Sequence, residues 1–260
     1  MTPGLAPGVR FAEEAEVQVL RVIATGVYEH VLNDLAEPFE AQSRHALRII
    51  ITNAGGVIAK LEAGEAADVV MTSSVGIDAL TAKGHVVAAS KVDVGGMRLG
   101  IAVKAGAPPP PDVSTAEALR EALRGAAAVA SIDPHGGATS GPYIDKLFER
   151  LGVAAEVRAR GVPCKTGGDV GRAVVSGRAT LGLTQAAELI GVEGLSFAGF
   201  LPEELQLVTV YSAAVASGSQ DPATAAAFIA FVTSAGAERL CQSGWDAAPS
   251  GVMPAKAGAQ

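Results

Sequence analysis

Four times in this chain a short apolar run ends in small and hydroxyl residues, and an amphipathic helix pattern starts at once. The junctions are Ile23-Ala24-Thr25-Gly26, Ile51-Thr52-Asn53-Ala54-Gly55-Gly56, Met71-Thr72-Ser73-Ser74 and the run from Asp133-Pro134 to Gly141. Each predicts a strand that hands over to a helix N-terminus, where unpaired N–H groups and the helix dipole favour an anion. Repeated along a βαβ chain, such junctions bring strand C-terminal ends together around one pocket.

The rest of the composition narrows what the pocket serves. A chain of 260 residues, 49% hydrophobic and 4% aromatic with 31 glycines, builds its core from alanine and valine and has room for two lobes. Its formal net charge of −7 argues against nucleic acid and against an anionic membrane surface. No stretch has the apolar length of a membrane span. Cys164 and Cys241 lack metal-ligand spacing, and free thiols in a reducing compartment are the plainer expectation, with a bridge between them the alternative. Residues 1–16 show no basic segment followed by an apolar one, so the expectation is a cytoplasmic protein, or a periplasmic one if the start is truncated.

From Val17 the pattern is strand, helix, strand, helix, strand. Val17–Ala24, Leu47–Ile51 and Ala67–Thr72 are predicted strands, and Tyr28, Val31, Leu32, Leu35 and Phe39 mark one helix face. Arg98–Lys104 is a strand followed by a proline run, and Ser114 with Glu117 predicts a capping box. A second series places strands at Ala127–Ile132, Glu156–Arg160 and Ala179–Thr184, with helices over Ile144–Leu151 and Asp169–Ser176. Leu205–Val215 is a long β-type run suited to crossing between lobes, and Asp221-Pro222 caps the last helix. The predicted class is α/β, with two doubly wound lobes around a cleft. Residues 17–97 with 210–250 form one lobe, 104–205 the other, and 1–16 and 251–260 are loose tails.

In this order and spacing the chain resembles a type II periplasmic-binding-protein fold. It is most similar to the molybdate-binding branch of ABC-transporter solute receptors. The resemblance is carried by Ala24-Thr25-Gly26, Leu61 to Val70 running into Ser73-Ser74, Asp133-Pro134, Val175 to Gly182, and Asp221 to Phe231. It implies an oxyanion held by hydroxyls and amides: Thr25, Ser73 or Ser74, the Ala138 amide, Gln185 and Tyr211. It also implies an ABC permease as partner. The loop after Asp-Pro departs from that pattern through His135, Gly136 and Gly137. The run Gly136–Gly141 is closer to the aconitate isomerases of the same fold, enzymes that shift a double bond in a tricarboxylic acid.

The candidate ligand-binding residues are therefore Thr25, Gly26, Asn53, Ser73, Ser74, Arg98, Gly137, Ala138, Thr139, Ser140, Gln185 and Tyr211. Any of the hydroxyls also serves as a simple helix cap. Arg98, Lys165 and Arg172 are the cations expected nearest the cleft, where a di- or tricarboxylate favours an arginine. An allylic shift needs a proton carrier, and His135 is the sequence candidate, against the plainer role of an exposed turn residue. Tyr28 is a second potential donor. No metal, dinucleotide or nucleophile-elbow motif is present, so no cofactor is expected. Two functions follow: a receptor for a small oxyanion or carboxylate, or a cytosolic isomerase acting on an unsaturated tricarboxylate.

Overall fold

Parallel strands buried on both faces organise the chain. The computed structural model describes residues 18–106 and 109–248, so both predicted tails and Val17 lie outside it. The first half opens with β1 (Gln18–Thr25), a helical turn at Gly26–Tyr28 and α1 (Glu29–Ser43). β2 (His45–Thr52), α2 (Ala54–Glu62), β3 (Val69–Ser73) and α3 (Ser74–Ala82) follow. β1 pairs in parallel with β2 and β3. Val22 and Ala24 pack with α1 against one core, while Ile23 packs with Val57, Val70 and Ile77 in another. Burial on both faces is why the run is apolar throughout rather than alternating.

β4 (Val92–Lys104) then links the halves. The second half contains α4 (Ala116–Gly125), β5 (Val129–Ile132), α5 (Gly141–Arg150), α6 (Ala154–Ala159), β6 (Gly161–Cys164), α7 (Gly167–Val175), β7 (Leu181–Gln185) and β8 (Leu195–Phe200). β9 (Val208–Val215), α8 (Pro222–Ser234), α9 (Ala237–Gln242) and β10 (Trp245–Asp246) return to the first. The strand order is β2-β1-β3-β9-β4-β7-β5-β6, with β8 and β10 also on β4. Residues 92–98 of β4 pair with β9, and 99–102 pair with β7. At the change of partner the Gln206 side chain substitutes for a strand: Leu99 N–H donates to Oε1 (2.8 Å), and Nε2 donates to the Leu99 carbonyl (3.1 Å).

Three sequence expectations are corrected. Glu156–Arg160 is not a strand. Val157 on α6 and Val153 at its N-cap, one turn apart, are both buried, and the strand lies at Gly161–Cys164, on the sheet edge where Pro163 is tolerated. The cap of α4 is Thr115 rather than Ser114, since the Thr115 hydroxyl accepts from Ala118 N–H (3.1 Å). The 205–215 run crosses before it becomes a strand: Leu205 lies in the second-half core, and β9 begins at Val208 in the first.

Candidate functional site

Helix N-termini from both halves meet at one narrow cavity of about 30 Å³. Thr25, Gly26 and Val27 bring the turn that leads into α1, and Asn53 and Ala54 bring the start of α2. From the second half come Ala138, Thr139 and Ser140 before α5, and Thr166 and Gly167 at α7. Gln185 closes one wall from the end of β7, and Tyr211 closes another from β9. Among the described lining residues there is no lysine, arginine or histidine. An anion placed here would meet amide dipoles and hydroxyls. Thr25 Oγ1 and Gln185 Oε1 are buried polar atoms with no partner among the described residues, and both belong to lining residues. A buried polar atom without a partner costs roughly 1–3 kcal/mol, which a ligand hydrogen bond recovers.

The two halves are joined across this cavity. Asn53 Nδ2 donates to the carbonyls of Gly136 (2.9 Å) and Lys165 (3.2 Å), while its Oδ1 accepts from Gly56 N–H and caps α2. Gly55 N–H donates to the Gly137 carbonyl (2.8 Å). A β-carbon on Gly55 would stand 3.2 Å from that oxygen, so the backbones meet here because Gly55 has none. Asn53→Asp keeps the cap but turns an oxygen toward two carbonyls. It is expected to weaken ligand binding by about tenfold or more, from roughly 1 kcal/mol per lost seam bond plus repulsion. Calorimetric titration checks this, and an unchanged thermal midpoint would show that the cap survives.

Several sequence candidates lie outside the cavity lining. Ser73 Oγ accepts from Gly76 N–H (3.2 Å) and caps α3, and Ser74 begins that helix. Gly137 takes the left-handed conformation (φ 81°) and contributes its carbonyl to the seam. Arg98 pairs with Asp246 (3.0 Å) and stacks on Phe200 (3.6 Å to the ring centroid). His135 is exposed: its N–H donates to Asp133 Oδ1 (2.9 Å), and this turn sends it to a separate groove with Asp145 and Arg158. Lys165 is exposed, and Arg172 pairs with Asp169 (2.6 Å). Tyr28 is fully buried beneath the site, its hydroxyl donating to the Ser212 carbonyl (3.3 Å).

Both cysteines are free thiols. Cys164 is buried, and burial pushes its thiol up, with the Asp169 charge adding to the effect. It is a packed and unreactive sulfur. Among the described residues no group of His, Cys, Asp or Glu could hold a metal ion, and no helix is long and apolar enough to cross a membrane.

Sequence reasoning missed the acid found among the described lining residues. Glu188 closes the helical turn after β7 and contacts the cavity and an adjoining groove of about 600 Å³. Thr184 Oγ1 donates to its Oε2 (2.8 Å), and the Gly167 amide donates to the same carboxyl. Desolvation dominates these stabilising bonds, helped by the charge of Glu29, and pushes the Glu188 carboxyl up to about 7. Tyr211, raised mainly by burial and then by the Glu188 charge, stays a neutral phenol beside Thr139 and Gln185.

Comparison with known proteins agrees with this architecture. The family described as bacterial extracellular solute-binding protein matches residues 20–246. The chain is 31% identical over 249 residues to an aconitate isomerase of Pseudomonas sp., covering 93% of this chain and 90% of the relative. The periplasmic molybdate-binding protein of Azotobacter vinelandii superposes with a TM-score of 0.74 at 21% identity, over 90% of this chain and 99% of that one. A periplasmic thiamin-binding protein gives 0.67 at 16% identity, over 95% and 89%. With its βαβ halves, β4 link and cleft of helix N-termini, the chain belongs to the bacterial extracellular solute-binding protein family.

Proposed function

We propose that this protein is an isomerase that moves the double bond of a small unsaturated tricarboxylate such as aconitate, with Glu188 as proton carrier. The observation that carries the reading is a partly desolvated carboxyl, poised near neutrality, in a cavity otherwise built from amides and hydroxyls. In a cavity that only retains anions, that carboxyl is a liability, because its charge repels the guest. In an enzyme working on a carbon acid it is the required base. Glu188 takes a proton from the saturated carbon next to the double bond, and that C–H electron pair becomes the new C=C bond. The old π pair collects the same proton from Glu188 at the far carbon, so no atom is gained or lost. The orphaned Thr25 hydroxyl, the neutral Tyr211 hydroxyl and the helix N-termini hold the carboxylates and the charge that builds between the two proton transfers. The full-length similarity to an aconitate isomerase supports the reading.

A receptor for a small oxyanion is the second reading, favoured by the absence of cations from the described lining. It carries with it an ABC permease as partner. In either case we propose lobes of residues 17–97 with 210–250 and of 104–205, closing about Leu99 and Gln206. Incubation with trans-aconitate, followed by chromatography of the acids, decides between the two. Turnover is expected. Absence of turnover, together with thermal stabilisation by molybdate or tungstate but not by trans-aconitate or citrate, would establish the receptor instead.

A further inference from the structure

Two glycines bracket the Glu188 carboxyl. A β-carbon on Gly26 would come within 2.6 Å of Oε1, and one on Gly167 would overlap the carboxyl itself. Both have ordinary negative φ and therefore no conformational need to be glycine. Space for this carboxyl is what each position preserves. We infer that Gly26 and Gly167 are positioning residues for Glu188, forming a slot from opposite sides of the interlobe seam, so that shutting the cleft completes the proton-carrying group. The inference rests on the isomerase reading above.

The packing shows why the slot spans the seam. Gly26 follows β1 in the first half, and Gly167 opens α7 in the second. Ala186 and Ala187, which precede Glu188, are buried in the first-half core with Val27 and Tyr28, and Ala187 N–H points at Met97 Sδ (3.4 Å). The carboxyl nevertheless reaches back to Thr184 and the Gly167 amide. Whichever half carries Glu188 when the cleft opens, one glycine stays behind. An open slot hydrates the carboxyl and returns it toward ordinary acidity; a shut slot strips water from it.

The surrounding charges are mixed rather than one-sided. Glu29 and His30 face it from α1, Asp169 and Arg172 from α7, with Arg178 and Glu193 on the far wall of the groove. Arg172 is already paired with Asp169, and Tyr211 on β9 is a neutral phenol. Desolvation by the slot remains the main influence.

The experiment compares pH profiles of kcat on trans-aconitate for the wild type, Gly26→Ala, Gly167→Ala, and each glycine variant combined with Glu188→Ala. Loss of activity on the acid side is expected near pH 7 in the wild type. Each single variant is expected to lose about tenfold or more in kcat and to move that limb downward, as the displaced carboxyl hydrates. In the Glu188→Ala background the same glycine changes should cost nothing more, because they act through the missing carboxyl. An unmoved limb, or losses that add to that of Glu188→Ala, would overturn the inference, and the double variants keep the test valid if a single variant folds poorly. Should the wild type turn nothing over, the isomerase reading falls separately. The slot is then judged by calorimetry of trans-aconitate binding at pH 7, where the carboxyl is not already fully protonated, in two buffers of different ionisation enthalpy. Proton uptake in the wild type that is absent in Glu188→Gln supports the slot, and equal uptake in both overturns it.

Discussion

Glu188→Gln is expected to bind trans-aconitate and to turn it over about 10²–10⁴-fold more slowly, the range a positioned proton carrier contributes. The amide preserves size and still accepts from Thr184 and the Gly167 amide, so closure should survive. Removing a carboxylate from beside an anion should tighten binding above pH 7 while kcat collapses. A falling kcat with a falling dissociation constant is the signature of a reacting group and not of a support for the fold. Single-turnover chemistry and calorimetry together read both numbers. A receptor would show only the change in affinity, and a fall in kcat smaller than tenfold would remove Glu188 from the chemistry.

The same group gives the pH dependence of folding a definite sign. Glu188 is raised from an ordinary 4.5 to about 7, so the folded protein binds the proton more tightly than the unfolded chain. This contribution is fully present below about 4.5 and is lost as pH rises to about 7. The slope in that window is at most about 1.4 kcal/mol per pH unit. Glu188→Gln has no such term. Its thermal midpoint relative to the wild type should rise between pH 5 and 7 and then level off, which paired melting curves would show.

Local signals made the fold and part of the site legible. A strand that ends in Thr25-Gly26 or Thr52-Asn53 must expose helix N–H groups there, and both pairs line the cavity. Ser73 has the same local grammar and a different outcome. Its strand pairs with antiparallel β9, Ser73 opposite Tyr211, and it is Tyr211 that lines the cavity while the Ser73 hydroxyl caps α3. Strand neighbours far apart in sequence decide that, and nothing within a few residues of Ser73 reports it. His135 looked like a base because it sits among glycines; the Asp133 side chain organises the turn that points it elsewhere. Glu188 reads as an ordinary acid in a surface turn, three residues past Gln185. The usable signal was the pair of small residues before it, Ala186-Ala187, at the end of a buried strand, together with glycines that open two other junctions. Its significance needs Gly26, Gly167 and Glu188 in one place, and only the folded chain supplies that.

The second large effect is expected at Trp245, whose ring lies under the cavity. It packs on Tyr28 (4.9 Å between centroids) and Tyr211 (5.7 Å), and Tyr28 meets Tyr211 edge-on (5.9 Å). β10 pins it to β4, Trp245 opposite Met97, and a β-carbon on Gly95 would crowd its Cε3 at 3.2 Å. Trp245→Ala removes the floor of this cluster and should cost about 3–5 kcal/mol, as deletions of large buried aromatics do. For a chain of this size that lowers the thermal midpoint by roughly 10 °C. Function should suffer beyond stability, because Tyr211 loses the ring that holds it against the cavity wall. At temperatures where the variant is fully folded, kcat on trans-aconitate is expected to fall about tenfold. Trp245→Phe fills most of the space and gives up an indole N–H that has no partner among the described residues. It should therefore recover most of both losses. Melting followed by circular dichroism, with kcat measured well below each midpoint, separates the two effects. Equal damage from Phe and Ala would mean that the indole itself is needed and not the volume beneath Tyr211.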